Sequence, residues 1–347
     1  QWCEWQIWSA WLRRLEAGTG NVPEWLGGGA APAVCLEFVG WQPERLLIRL
    51  ERLQLRTPYA RAAGRAEGGK LGLRHPALER IPEEFRRRNE VLQEKLHREF
   101  SSHLFAEEAQ VGFMPGAEAI DYDIDSVRAA FTVFDSLNLN FIRLVEGPLV
   151  WAGAHLWSAG HLDAARFVAQ DIVKTLSRFK TLITSCPTCA WLLREKLPAE
   201  GFHHDTEVLH ITEYLYVHTE RLDIKRTRPA AFYQDPCYLG RYLGVLDPPR
   251  LLMSRCVDRT HEFFYSRQEA ECCGGGGLVP ETFPEAAQGQ ARRRLSEAEH
   301  FEVPLVVTAC ASCRHNFEQA NTEVEVVDLI SLLAWALHDP DRAALTG

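Results

Sequence analysis

From Gln110 onward, short apolar runs alternate with stretches whose apolar residues recur at helical spacing, and the alternation happens twice. The first pass reads as a strand in QVGFMPG, a helix from about Asp123 to Leu137 and a strand in LNFIRLV. A helix from His161 to Phe179 follows, with Leu162, Ala165, Ala169, Ile172, Leu176 and Phe179 on one face, and then a strand in TLITS. The second pass runs through AAFYQD, a helix near Pro248 to Cys256, a strand in HEFFYS, a helix from about Phe283 to Glu299 and a strand in PLVVTA. Strands separated by single helices imply βαβ units and mostly parallel sheets. The passes match in order and length, so the expected fold is α/β with two pseudo-symmetric lobes, an internal duplication of roughly 110 residues per copy. The copies meet between about Arg221 and Pro229.

The chain before the lobes reads differently. Tryptophan recurs at positions 2, 5, 8 and 11, which could form one helical stripe, and the Gly-, Ala- and Arg-rich stretch from about Thr57 to His75 reads as a linker. Ile81 to Phe105 is dense in Glu, Arg, Leu and Phe, a helix lying against a domain or a partner. The expected division is therefore a Trp-rich segment and linker (1–75), a helical connector (76–108), a first lobe (109–225) and a second lobe (226–340).

Net charge −9 argues against broad contact with nucleic acid. The longest uncharged run, Gly147 to Gly160, is too short to span a bilayer. No basic region precedes an apolar block at the start, so a cytoplasmic location is expected.

Eight of the ten cysteines lie after residue 185. Six of them form Cys186-x2-Cys189, Cys272-Cys273 and Cys310-x2-Cys313, which reads as metal ligation or redox chemistry rather than a disulfide framework. In the second lobe each cysteine follows a strand: Cys237 after AAFYQD, Cys272 and Cys273 after HEFFYS, Cys310 and Cys313 after PLVVTA. Parallel sheets bind ligands at the carboxyl ends of their strands, so these five thiols should converge. Gly274 to Gly277 would let backbone approach a bulky inorganic ligand. Five thiols overshoot a tetrahedral zinc site and also a regular four-cysteine cluster. Spacing alone leaves iron–sulfur and zinc both open, with a buried inert set third.

The spacing of Cys237, Cys272-Cys273 and Cys310-x2-Cys313 resembles the cysteine-rich CCG domain. Asp235-Pro236-Cys237-Tyr238-Leu239-Gly240-Arg241 and Glu271-Cys272-Cys273-Gly274 are similar to the text of that family. The resemblance extends over about residues 110 to 337, to the B and D components of heterodisulfide reductase and the iron–sulfur subunits of glycolate oxidase, lactate utilisation and anaerobic glycerol-3-phosphate dehydrogenase systems. It implies one noncubane 4Fe–4S cluster on Cys237, Cys272, Cys273, Cys310 and Cys313. It also implies an oxidoreductase subunit passing electrons between a partner and a thiol, disulfide or quinone-linked acceptor, at the periphery of a membrane complex if at a membrane at all.

The first lobe departs from the pattern. Ala117 stands where the first cysteine should, Trp151-Ala152-Gly153 where Cys-Cys-Gly should, and only Cys186 and Cys189 remain. That lobe is expected to have lost its cluster. A zinc site of Cys186 and Cys189 with His203 and His210, or a redox role for the pair, is the rival reading. Cys3 and Cys35 are the only thiols before residue 186, so a ferredoxin-type or flavoprotein partner is expected to supply electrons. Cys256 reads as core, and His155, His161 and His315 have no partner that the sequence names. The competing function is a non-enzymatic assembly subunit with a structural zinc or iron–sulfur site.

Overall fold

The computed structural model describes residues 58–337 except 71, 73 and 105–108. The tryptophan stripe, Cys3 and Cys35 lie outside the described residues. No helix among the described residues is long and apolar enough to cross a membrane.

Each lobe is built on a four-stranded parallel sheet, and the strand orders match. In the first, Val111–Met114 (β1), Arg143–Leu144 (β2), Thr181–Thr184 (β3) and Glu207–His210 (β4) run in the order β2-β1-β3-β4. In the second, Arg228–Gln234 (β5), Val257–Glu262 (β6), Leu305–Thr308 (β7) and Glu325–Asp328 (β8) run in the order β6-β5-β7-β8. Registers align too: Met114 faces Thr184 and Gln234 faces Thr308, so Ala117 occupies the position of Cys237 and Cys186 that of Cys310. The expected α/β duplication is what the chain forms. Two strands were not expected, β4 and β8, each four residues long.

The helices are shared between lobes. Ile124–Ser136 crosses over in the first lobe as Asp247–Cys256 does in the second, and Ile211–Tyr216 and Leu329–Leu337 end the two lobes. The last helix of the second lobe packs on Ile124–Ser136, and that of the first on Asp247–Cys256. LISLLAWAL (Leu329–Leu337) is apolar almost all round, as befits a helix covered on most sides. One continuous apolar core consequently runs through both lobes. Arg314 of the second lobe pairs with buried Asp123 of the first at 2.5 Å, and His315 stacks on Tyr122 at 3.8 Å.

At the end of each fourth strand sits a buried ionisable residue that caps the next helix. His210 Nδ1 accepts from the Thr212 N–H at 3.3 Å, and Asp328 Oδ1 from the Ile330 and Ser331 N–H groups at 2.8 and 3.3 Å. Burial, then the nearby Asp123 carboxylate, pushes Asp328 up to about 7, against the helix N–H groups and Arg314. Its folded pKa lies above the unfolded value, so its stabilisation is complete below the unfolded pKa and is lost as pH rises through about 7. Asp328→Asn keeps the accepting oxygen and is expected to be more stable than wild type by ~2–4 kcal/mol at pH 8. Near pH 4 the two should coincide; urea curves showing the same difference at both pH values would count against this.

Before the lobes, the stretch expected as linker is instead the helix Pro58–Lys70 (α1). The connector helix spans Ile81–Phe100 (α2 here), ending before Phe105, and buries Ile81, Phe85, Leu92, Leu96 and Phe100. It lies on the first lobe, against Ala117–Tyr122 and Ala154–Ala159.

Candidate metal centre

The second lobe brings five of its six cysteines to the carboxyl end of β5, β7 and the loop after β6. Cys237 follows Gln234-Asp235-Pro236 off β5, and Cys310 opens the helix Ala311–Glu318 directly after β7. Cys272 and Cys273 arrive on a longer loop, held by backbone carbonyls. Asn316 Nδ2 donates to Cys273 O at 2.8 Å, Gln290 Nε2 to Cys272 O at 3.1 Å, and Gln234 Nε2 to Glu271 O at 3.1 Å. Arg294, buried under the sheet, donates to Gln234 Oε1 and Tyr265 O at 2.7 Å each. Glycine is required at 274: its φ is +91°, and a Cβ there would lie 2.6 Å from Ala287 O.

The five thiols lie side by side in the order Cys237, Cys272, Cys273, Cys313, Cys310, each perturbing the ionisation of its neighbour. Donation from Cys237 and Cys273, with the Gly274 N–H and Arg61 charge, holds Cys272 well below the usual thiol range despite burial. Cys310 is lowered by Cys313 and the N–H groups of the helix start. Cys237, Cys273 and Cys313, donors in the row, are pushed up. Among the described residues no three or more His, Cys, Asp or Glu side chains are set about a single metal ion.

The first lobe has the same frame with its ligand positions filled. Ala117 is buried, and the Trp151 indole is 4% exposed under α2, its ring 5.0 Å from that of Phe85. Gly153, at φ +77°, repeats Gly274. Cys186 and Cys189 sit at the start of the helix Pro187–Trp191. Of the two histidines expected beside the pair, His203 is exposed on a loop, and His210 spends Nδ1 on its helix cap while its Nε2 is buried without a hydrogen-bond partner. Cys256 is core as expected, with burial pushing its thiol up to about 12.

The three histidines for which the sequence names no partner each have one. His155 Nδ1 accepts from Trp151 Nε1 at 2.8 Å, and its Nε2 faces Glu118 at 3.4 Å. His161 lies between Arg74 and Leu78 O, and His315 on Tyr122. The i, i+4 spacing of Trp151 and His155 at a helix start was the available signal.

A residue no motif announces is Arg61. Its guanidinium lies 2.7 Å from where a Gly277 Cβ would be, and Arg65, one turn on, donates to Gly277 O at 2.7 Å and Ser158 O at 2.9 Å. Burial alone would lower the Arg61 pKa, but Tyr238, Tyr242, Cys272 and Cys237 around it raise it, so a fixed cation faces the row. Arg61→Gln is expected to slow iodoacetamide capture of Cys272 at neutral pH in metal-free chain, because the thiolate loses a counter-charge. An unchanged rate would show that the thiol–thiol bonds alone hold it.

Residues 231–318 match the cysteine-rich domain family CCG, so the second lobe carries a CCG domain. The D component of dihydromethanophenazine:CoB–CoM heterodisulfide reductase from Methanosarcina acetivorans is 30% identical over 261 residues, 67% of this chain and 60% of that one. The B component of fumarate reductase (CoM/CoB) from Methanothermobacter marburgensis is 25% identical, over 67% of this chain and 47% of its own. A probable iron–sulfur-binding oxidoreductase of Bacillus subtilis is 27% identical, over 50% of this chain and 27% of its own. The matches thus span less than two thirds of these relatives' own length.

Proposed function

We propose that this chain is an iron–sulfur redox subunit with one 4Fe–4S cluster of noncubane type, held by Cys237, Cys272, Cys273, Cys310 and Cys313. The observation that carries the reading is the convergence of five thiols at the carboxyl end of β5 and β7, beside a glycine loop. Soft thiolate donors without carboxylate or imidazole suit iron–sulfur, and an extended five-sulfur set suits several metals better than one zinc ion. When bound, such a group supplies one-electron chemistry. The chain's own residues set its surroundings: Arg61 provides fixed positive charge, and the Gly274 and Gly275 N–H groups point at Cys272 and Cys273 sulfur (3.4 and 3.3 Å). Relatives named as components of heterodisulfide reductase and fumarate reductase support electron transfer from a ferredoxin-type or flavoprotein partner to a thiol, disulfide or quinone-linked acceptor.

Anaerobic purification followed by iron and sulfide analysis and EPR tests this. About four irons and four labile sulfides per chain are expected. About eight of each would mean that the first lobe is loaded too, and zinc alone would sink the reading.

A further inference from the structure

Between the lobes lies a narrow cavity of about 40 Å³. Cys186, Cys189, Glu118 and His155 line it from the first lobe, and Gly276 and Ser312 from the loops that carry the second-lobe cysteines. The two first-lobe thiols converge on it. Cys186 Sγ accepts from the Cys189 N–H at 3.2 Å, and the Cys189 thiol is close enough to perturb Cys186. Gly116 makes room for both. At φ +88°, a Cβ there would stand 2.5 Å from Cys186 Cβ and 3.2 and 3.7 Å from the two sulfurs. Cys186 is half-buried and Cys189 is 3% exposed, so Cys186 is the thiol a disulfide from solution reaches first. Cys189, burial and the Glu118 carboxylate push the Cys186 thiol up, so exchange runs through its small ionised fraction.

We infer that Cys186 and Cys189 are a redox-active dithiol, facing the second-lobe site across the cavity and exchanging with small disulfides. The inference rests on the iron–sulfur reading for its electron supply only. In the exchange, Cys186 sulfur attacks a disulfide RSSR, forming a mixed disulfide and releasing RSH. Cys189 sulfur then displaces the second RSH and closes the Cys186–Cys189 bond. The sum is two protein thiols plus RSSR giving one protein disulfide plus two RSH, with atoms and electrons balanced. Resetting that bond takes two electrons from a ferredoxin-type reductant and two protons from water reaching the cavity; the group that Cys237, Cys272, Cys273, Cys310 and Cys313 would hold would supply the one-electron relay.

The test uses the full chain and its Cys273→Ser variant, each equilibrated anaerobically with oxidised and reduced dithiothreitol, alkylated and mapped by mass spectrometry. In both proteins the Cys186 and Cys189 peptide is expected to move between doubly alkylated and internally linked. The linked-to-free ratio should change tenfold for every ~30 mV, the two-electron slope. Two free thiols at every potential, or a pair protected by stoichiometric zinc, would overturn the inference. Reduced ferredoxin is then added to the oxidised proteins. At least tenfold faster opening of the bond in wild type than in Cys273→Ser is expected, and equal rates would overturn the electron route. If the wild type holds no iron, the iron–sulfur reading fails by itself, while the dithiothreitol titration still decides the thiol pair.

Discussion

Cys273→Ser is expected to strip most of the iron and visible absorbance from the purified chain, and Cys186→Ser to leave both near wild type. Cys273 lies in the middle of the thiol row, between Cys272 and Cys313, and its carbonyl is clamped by Asn316. Serine offers a harder, less acidic oxygen at the one position that touches both halves of the set. Cys186, by contrast, belongs to a lobe where Ala117 and Trp151 already fill the other ligand positions. Iron analysis and absorbance after anaerobic preparation read both variants. Equal losses would show that the first lobe contributes ligands.

The second large effect is on stability. Asp235, two residues before Cys237, has a side chain only 1% exposed and takes two hydrogen bonds from Arg250, at 2.8 and 2.7 Å. It also accepts from the Arg267 N–H at 2.8 Å, on the loop leading to Cys272. Arg250 in turn reaches Glu262 at the end of β6 and lies over the Tyr233 ring. Asp235→Ala leaves a largely buried guanidinium short of its main partner and an N–H without one, so a loss of about 3–5 kcal/mol is expected. Arg250→Lys should fall between, because an ammonium cannot reproduce the two-pronged geometry. Urea unfolding of the metal-free chain measures both; an Asp235→Ala chain within about 1 kcal/mol of wild type would mean the pair is dispensable.

The parallel lobes and the position of the five cysteines were legible because both follow from local pattern: apolar strands, alanine-faced helices, and thiols placed just after strands. The elements that differ do so for physical reasons. HEFFYS reads as a strand, but the strand is the polar Val257–Glu262, an edge strand free to be hydrophilic on its outer side. Phe263 leaves the sheet and drops into the core under Arg294, 3.9 Å from its ring. Pro58–Lys70 carries Gly64, Gly68 and Gly69, a poor helix by propensity that is helical where Ala62, Arg65 and Ala66 are buried against the lobes. Arg61 could not have been found without that packing, since nothing in its neighbours marks it as facing Cys272. Burial likewise separates the histidines of the zinc alternative: His203 and His210 are close in sequence, yet one is exposed and the other caps a helix.

The crossed packing of the terminal helices bears on why a lobe without its ligands is still present. Leu329–Leu337 covers the first crossover helix of the opposite lobe, and Ile211–Tyr216 returns the cover. Cutting the chain near residue 225 would therefore yield two fragments, each with an uncovered apolar flank and a surplus helix, both prone to aggregate unless they recombine. Neither lobe in this architecture can be shed as a spare module, because each is unfinished without the other.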